Sequence, residues 1–157
     1  AAKEFNGRVI APNTIRTIEG GILSYGSDFD RSHNPFTIGF DRLVDLDQKN
    51  DFIGKDALRK IKERGLTEKL VGIELEGDPI MKAPENFWTV KSNNLKVGRV
   101  SRAFFSPRLQ KNIALAIVDI DFSEEGTEVI VEGPNGNYPA KVVKLPWFKA
   151  DKETHLD

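Results

Sequence analysis

Apolar positions along the chain change their spacing partway through, and that change divides the sequence into two textures. In the first, Ile15, Ile18 and Ile22 stand at i, i+3 and i+7, with Arg16 and Glu19 on a different face. This spacing predicts a short amphipathic helix across Asn13 to Leu23. Asn13 suits the N-cap, and Gly20 with Gly21 should loosen or end the helix. The stretch Tyr25 to Pro35, rich in Gly, Ser, Asp and Asn, reads as a loop. Lys55 to Arg64 then carries Ala57, Leu58 and Ile61 on one side, with Gly65 placed to end a second helix. The charges on its other side, Lys55, Asp56, Arg59, Lys60, Lys62, Glu63 and Arg64, read as a solvated face.

From Lys69 onward the runs become short and rich in β-branched and aromatic residues, broken by Gly, Pro, Asn and Asp. Strands are predicted at Leu70 to Leu75, Phe87 to Val90, Val97 to Ser101, Ile113 to Asp119, Glu128 to Val131 and Tyr138 to Leu145. Hairpin chemistry appears at Ser92-Asn93-Asn94, Glu125-Gly126 and Pro134-Asn135-Gly136. About six short antiparallel strands suggest a small closed or nearly closed β-barrel, which removes exposed sheet edges. The expected class is α+β, with residues 1–67 forming one lobe and residues 68–157 the barrel.

Composition narrows the chemistry. The 157 residues, 39% hydrophobic and 30% charged, can bury one core with a smaller satellite. Lys and Arg (23) nearly balance Asp and Glu (24), so no net field draws the chain to nucleic acid or an anionic membrane. No apolar run approaches the roughly 20 residues of a membrane helix, and Ala1 to Ile10 lacks a signal-peptide pattern, so a cytoplasmic setting is expected. The absence of cysteine excludes disulfides, thiolate zinc sites and cysteine nucleophiles. His33 and His155 lack partners at metal-ligand spacing and read as solvated loop residues.

No catalytic constellation assembles, and no catalytic residue or metal site is expected. Gly20-Gly21 is not a phosphate loop, and nucleophile elbows, HExxH and EF-hand patterns are absent. Asp28, Asp30, Asp41, Asp45 and Asp47 read as caps and turns rather than a metal site. The most suggestive group is Arg16, Glu19 and Tyr25: a guanidinium fork that suits a carboxylate, and an aromatic face with a polar tip. A surface pair between Arg16 and Glu19 at i, i+3 is the plainer reading.

Several segments together resemble the glycine-cleavage T-protein family, also called aminomethyltransferases. IRTIEGGILSYG (Ile15 to Gly26) resembles the family's Arg, Glu, Gly and Leu-x-Tyr-Gly helix and turn, and DFIGKDAL (Asp51 to Leu58) its Phe-Ile-Gly-Lys helix start. LVGIELEG (Leu70 to Gly77), VGRVSRAFFSPRLQKNIALAIV (Val97 to Val118) and AKVVKLPWF (Ala140 to Phe148) resemble its barrel strands in the same order. Arg16 stands three residues before Glu19 where the family spacing is two, and GDPIMKAPENFW replaces a glycine-proline turn. With GILSYGSDFD (Gly21 to Asp30), these departures are similar to the dimethylsulfoniopropionate demethylase branch, which moves a methyl group to tetrahydrofolate. Sarcosine and dimethylglycine oxidising enzymes carry similar C-terminal folate modules.

The resemblance implies a partial folate-binding α/β lobe followed by a six-stranded antiparallel barrel. It implies tetrahydrofolate as cofactor, a small one-carbon donor as partner, and Arg16, Glu19 and Tyr25 as folate-contacting residues. In the family, the carboxylate proposed to act near the folate and most pterin contacts lie in N-terminal lobes without counterpart in this sequence. The expectation is a fragment or separately encoded half, inactive alone, that pairs with the missing half or self-associates. A stand-alone, non-catalytic binding or assembly module is the rival reading.

Overall fold

The computed structural model describes residues 13–148; the expectations for Ala1 to Ile10 and for His155 lie outside these residues. Helix α1 spans Thr14–Glu19, and Asn13 caps it as the sequence indicates, its Oδ1 accepting from the amides of Ile15 and Arg16. The helix is shorter than expected. Gly21 adopts φ 62°, and the Gly21 and Ile22 amides bond back to Ile18 and Thr17, a Schellman ending. Ile22 therefore leaves the apolar stripe and is exposed, while Ile18 is fully buried.

Helix α2 spans Lys55–Arg64, the expected bounds. Its polar face is not wholly solvated. Lys55 is buried, its Nζ donating to the carbonyls of Gln48 and Asn50, and Arg59 donates to the Leu46 carbonyl. These bonds close the loop before α2 onto the helix and satisfy carbonyls that the turn leaves free.

Six strands follow: β1 Glu68–Leu75, β2 Trp88–Ser92, β3 Leu95–Ser106, β4 Lys111–Asp119, β5 Glu128–Gly133 and β6 Gly136–Val143. They close into an antiparallel barrel in the order β1-β4-β3-β2-β5-β6, with β6 pairing back to β1. Every predicted strand is present, most of them longer than read. Asn93 and Asn94, both at positive φ, make the β2–β3 turn, and Pro134-Asn135 makes the β5–β6 turn. Glu125-Gly126 is a turn but not a hairpin, because β4 pairs with β1 and β3 and a 3-10 turn at Ile120–Phe122 carries the chain away before β5.

Alternate residues fill the barrel: Val71, Ile73 and Leu75 from β1, Ala114, Ala116 and Val118 from β4, with Val90, Val131 and Val142 from the far side. Strand β4 is buried on both faces, which explains its continuous apolar run. Its outward Ile113 and Leu115 pack with Ile18 of α1, together with Leu23, Phe104, Leu109, Leu145 and Trp147. Trp88 is buried and stacks on Tyr138 with ring centroids 6.0 Å apart, and Trp147 joins the α1 cluster while donating to Glu74.

Strand β3 breaks the twofold alternation, burying Val97, Val100, Ala103 and Ser106 at every third position. Two register shifts account for the spacing from Val97 to Ala103, while Ser106 is buried on the outer face, where it donates to Glu19. Val97 is extra against β2, and Ser101 is extra against β4. A bulge of this kind re-aims neighbouring side chains. Both Ser101 and Arg102 consequently reach out of the barrel towards the same carboxylate.

Candidate functional site

That carboxylate is Asp28, in the loop after α1, with 1% of its surface exposed. Its Oδ1 accepts from Ser101 Oγ at 2.6 Å and from Arg102 Nε at 2.9 Å, and its Oδ2 accepts from Arg102 Nη2 at 2.6 Å and from the Ser24 amide at 2.7 Å. The same guanidinium donates from Nη1 to Thr17 Oγ1 on α1 at 2.9 Å and from Nη2 to the Ile22 carbonyl at 2.7 Å. One barrel side chain thus holds the helix, its exit and the following loop. A two-pronged arginine–carboxylate contact fixes both distance and plane, which a single bond would not.

Glu19 makes a second link. It is buried, its Oε1 accepts from Ser106 Oγ at 2.5 Å, and its carbonyl accepts from the Trp147 amide. The expected surface pair with Arg16 does not form. Burial of Glu19 turns its side chain to the barrel, while Arg16 is exposed. Tyr25 is 64% exposed and meets Phe29 edge to face, ring centroids 5.6 Å apart. Among the described residues, no hydrogen bond, ion pair or ring contact joins any two of Arg16, Glu19 and Tyr25. Arg16 and Tyr25 instead sit on two segments, α1 and the loop from Ser24 to Asp28, that Arg102 and Asp28 lock to the barrel.

His33 corrects the reading of a solvated loop histidine, since its side chain is only 3% exposed. Its Nε2 lies 3.0 Å from Arg99 Nη2, while Nδ1 lies 3.0 Å from Asp30 Oδ1 and 3.2 Å from the Asp30 amide nitrogen. Arg99 also lies over the Phe87 ring, 4.9 Å from its centroid. Asp30 caps Ser32 through its amide and hydroxyl. These hydrogen bonds, then the His33 charge and bond, hold the Asp30 carboxyl below the usual 3.8. Asp45 caps Asp47 and Gln48 in the same manner, so Asp30 and Asp45 are the turn residues the sequence suggests, whereas Asp28 is held by the barrel.

A groove of about 720 Å³ opens between Gly20-Gly21, Phe40, Arg42, Lys69 near the start of β1 and Lys144 just after β6. Arg16, Glu19 and Tyr25 do not line it. Among the described residues no cluster of three metal-ligating side chains occurs, and no helix is long and apolar enough to cross a membrane. The arrangement leaves the Arg16 guanidinium and the Tyr25 phenol exposed on segments that the Arg102–Asp28 contact ties to the barrel.

The Asp28–Arg102 lock escaped the sequence reading because it joins residues 74 positions apart. A signal was present: Ser101-Arg102 puts two polar residues in succession between Val100 and Ala103, which a regular strand would not place on one face.

Comparison with known proteins places this architecture. Residues 68–149, just over half the chain, match the glycine cleavage T-protein C-terminal barrel domain. An aminomethyltransferase of Picosynechococcus sp. is 38% identical over 143 residues, covering 91% of this chain and 38% of the relative. One of Symbiobacterium thermophilum is 40% identical over 140 residues, covering 89% and 36%. The crystal structure of glycine cleavage system aminomethyltransferase T from Bartonella henselae superposes with a TM-score of 0.74 at 22% identity, over 83% of this chain and 36% of that one, a likeness of fold. The chain therefore spans well under half the length of the relatives it matches. By the match of residues 68–149 to its C-terminal barrel domain, the chain belongs to the glycine cleavage T-protein family, as a C-terminal part of it.

Proposed function

We propose that this chain is the C-terminal part of a tetrahydrofolate-dependent one-carbon transferase and supplies one wall of the folate site. The observation that carries this reading is that similarity to aminomethyltransferases extends beyond the barrel, over 91% of the chain, and so takes in the segment bearing Arg16 and Tyr25. In this reading residues 1–67 are the end of a folate-binding lobe and residues 68–157 the barrel that closes the cleft. The transferred group is an aminomethyl or a methyl group. The first follows the relatives' names, and the second the resemblance of Gly21 to Asp30 to dimethylsulfoniopropionate demethylases.

The residues divide the work by their positions. Arg16, charged and exposed, binds a carboxylate of the glutamyl tail, and Tyr25 lines the opening with its ring. Glu19, already bonded to Ser106, contributes by fixing α1 rather than by touching ligand. Reaction needs the folate N5 held against the one-carbon donor with water excluded, so orientation and shielding supply much of the rate. An exposed wall cannot shield alone, so the rest of the site comes from the portion of the relatives that this chain does not span.

The test is reconstitution. The chain is assayed for tetrahydrofolate-dependent transfer alone, and fused behind the unmatched N-terminal portion of the Picosynechococcus relative. Activity confined to the fusion, and reduced at least tenfold by Arg16→Ala, is expected. A fusion that folds and binds folate without transferring any one-carbon group would leave a non-catalytic binding module as the better account.

A further inference from the structure

We propose that Arg102 is the positioning residue of the folate wall, setting Arg16 and Tyr25 relative to one another without touching ligand. The inference rests on the folate reading given above and adds a residue to it. Its basis is the set of bonds on one guanidinium. Nη1 holds Thr17, the neighbour of Arg16, and Nη2 holds the carbonyl of Ile22, where the chain leaves α1. Nε and Nη2 grip Asp28, whose second oxygen also accepts the Ser24 amide immediately before Tyr25.

Helix α1 has only six residues and could not hold a fixed direction by its own hydrogen bonds. The loop bearing Tyr25 has a single isolated bridge, to Phe29, as regular structure. Both segments take their orientation from the barrel, and the bulge at Ser101 in β3 aims Arg102 at them. Burial makes the lock stiff. The Arg102 side chain is 13% exposed and that of Asp28 is not exposed at all, so water competes little for either. Lysine could neutralise Asp28 but could not reach Asp28, Thr17 and Ile22 together, since it lacks the planar fork.

The experiment combines amide hydrogen exchange and tetrahydrofolate calorimetry on the whole chain, comparing wild type, Arg102→Lys and Arg102→Ala. Arg102→Ala should keep the protection of β1 and β4 amides, lose at least tenfold protection at Ser24, and weaken tetrahydrofolate binding at least tenfold. Arg102→Lys should fall between. In an Arg16→Ala, Tyr25→Ala background, Arg102→Ala should cause no further loss of affinity while still deprotecting Ser24, a result a merely structural residue would not give. Unchanged affinity in Arg102→Ala, or an equal loss in the doubly substituted background, overturns the inference. If Arg102→Ala does not fold, Thr17→Val removes one arm of the lock and must itself weaken binding, or the inference fails. If the wild-type chain shows no binding, the folate reading fails for this chain. The lock is then judged by Ser24 exchange alone, and unchanged protection there overturns it.

Discussion

Asp28 accepts four hydrogen bonds from three residues, two of them on a distant strand. Removing it would leave the Arg102 guanidinium largely buried without its counter-charge, the costly case for ion pairs in interiors. Asp28→Ala should therefore lower unfolding stability by about 3–5 kcal/mol, read from urea denaturation, far above the effect of a surface pair. A loss below about 1 kcal/mol would show that the lock is not formed in solution. Asp30 lies two residues on and behaves differently. Its pKa is depressed by the Ser32 hydroxyl and amide, then by His33, so its contribution is complete above 3.8 and fades as pH falls through the lowered value. Side-chain carboxyl NMR should find Asp30 titrating below 3.8, and Ser32→Ala should move it back upward. An Asp30 titration unaffected by Ser32→Ala would contradict that cause. Both carboxylates read as turn residues in the sequence. Only Asp30 is one, because what separates them is the strand that folds back over Asp28, and local pattern carries no record of it.

Elements were legible where local chemistry decides them. Helix α2 has amphipathic spacing and a terminal Gly65, and both its bounds follow from these. Strand ends were harder. β3 runs to Ser106 rather than Ser101, because two bulges interrupt the alternation from which a strand is read. The first helix was overextended since Ile22 keeps the spacing of the stripe, while Gly21 at positive φ ends it. Two substitutions probe how these elements meet. Ile18, fully buried between α1 and the outer face of β4, should cost about 2–5 kcal/mol as Ile18→Ala, measured by denaturant unfolding. At Gly98 a Cβ would lie 2.4 Å from the Ile117 carbonyl oxygen and 2.8 Å from Val118 Cα, both backbone atoms that cannot swing aside. Gly98→Ala should destabilise the barrel by about 1–3 kcal/mol or more, with chemical-shift changes centred on the β3–β4 pair. A Gly98→Ala chain as stable as wild type would mean that β3 and β4 are not so closely apposed.

At the scale of the molecule, a closed barrel carries a short helix and loops on one outer face, through the doubly buried β4 and the Arg102 lock. Barrel closure was legible from short strands at close intervals, and the family from segments in register across the chain. The docking of the lobe was not, because it depends on side chains that meet only after the barrel closes. In the proposed reading, α1 and the loop after it present the exposed Arg16 and Tyr25 as one wall of a folate site. The central claim is that part of a folate site resides on this wall. Calorimetry of tetrahydrofolate with this chain under reducing conditions, alongside Arg16→Ala, tests it most directly. The account predicts measurable binding that Arg16→Ala weakens by roughly tenfold, the loss of about one charge-assisted contact. No binding at millimolar ligand, or equal binding by both chains, would contradict it.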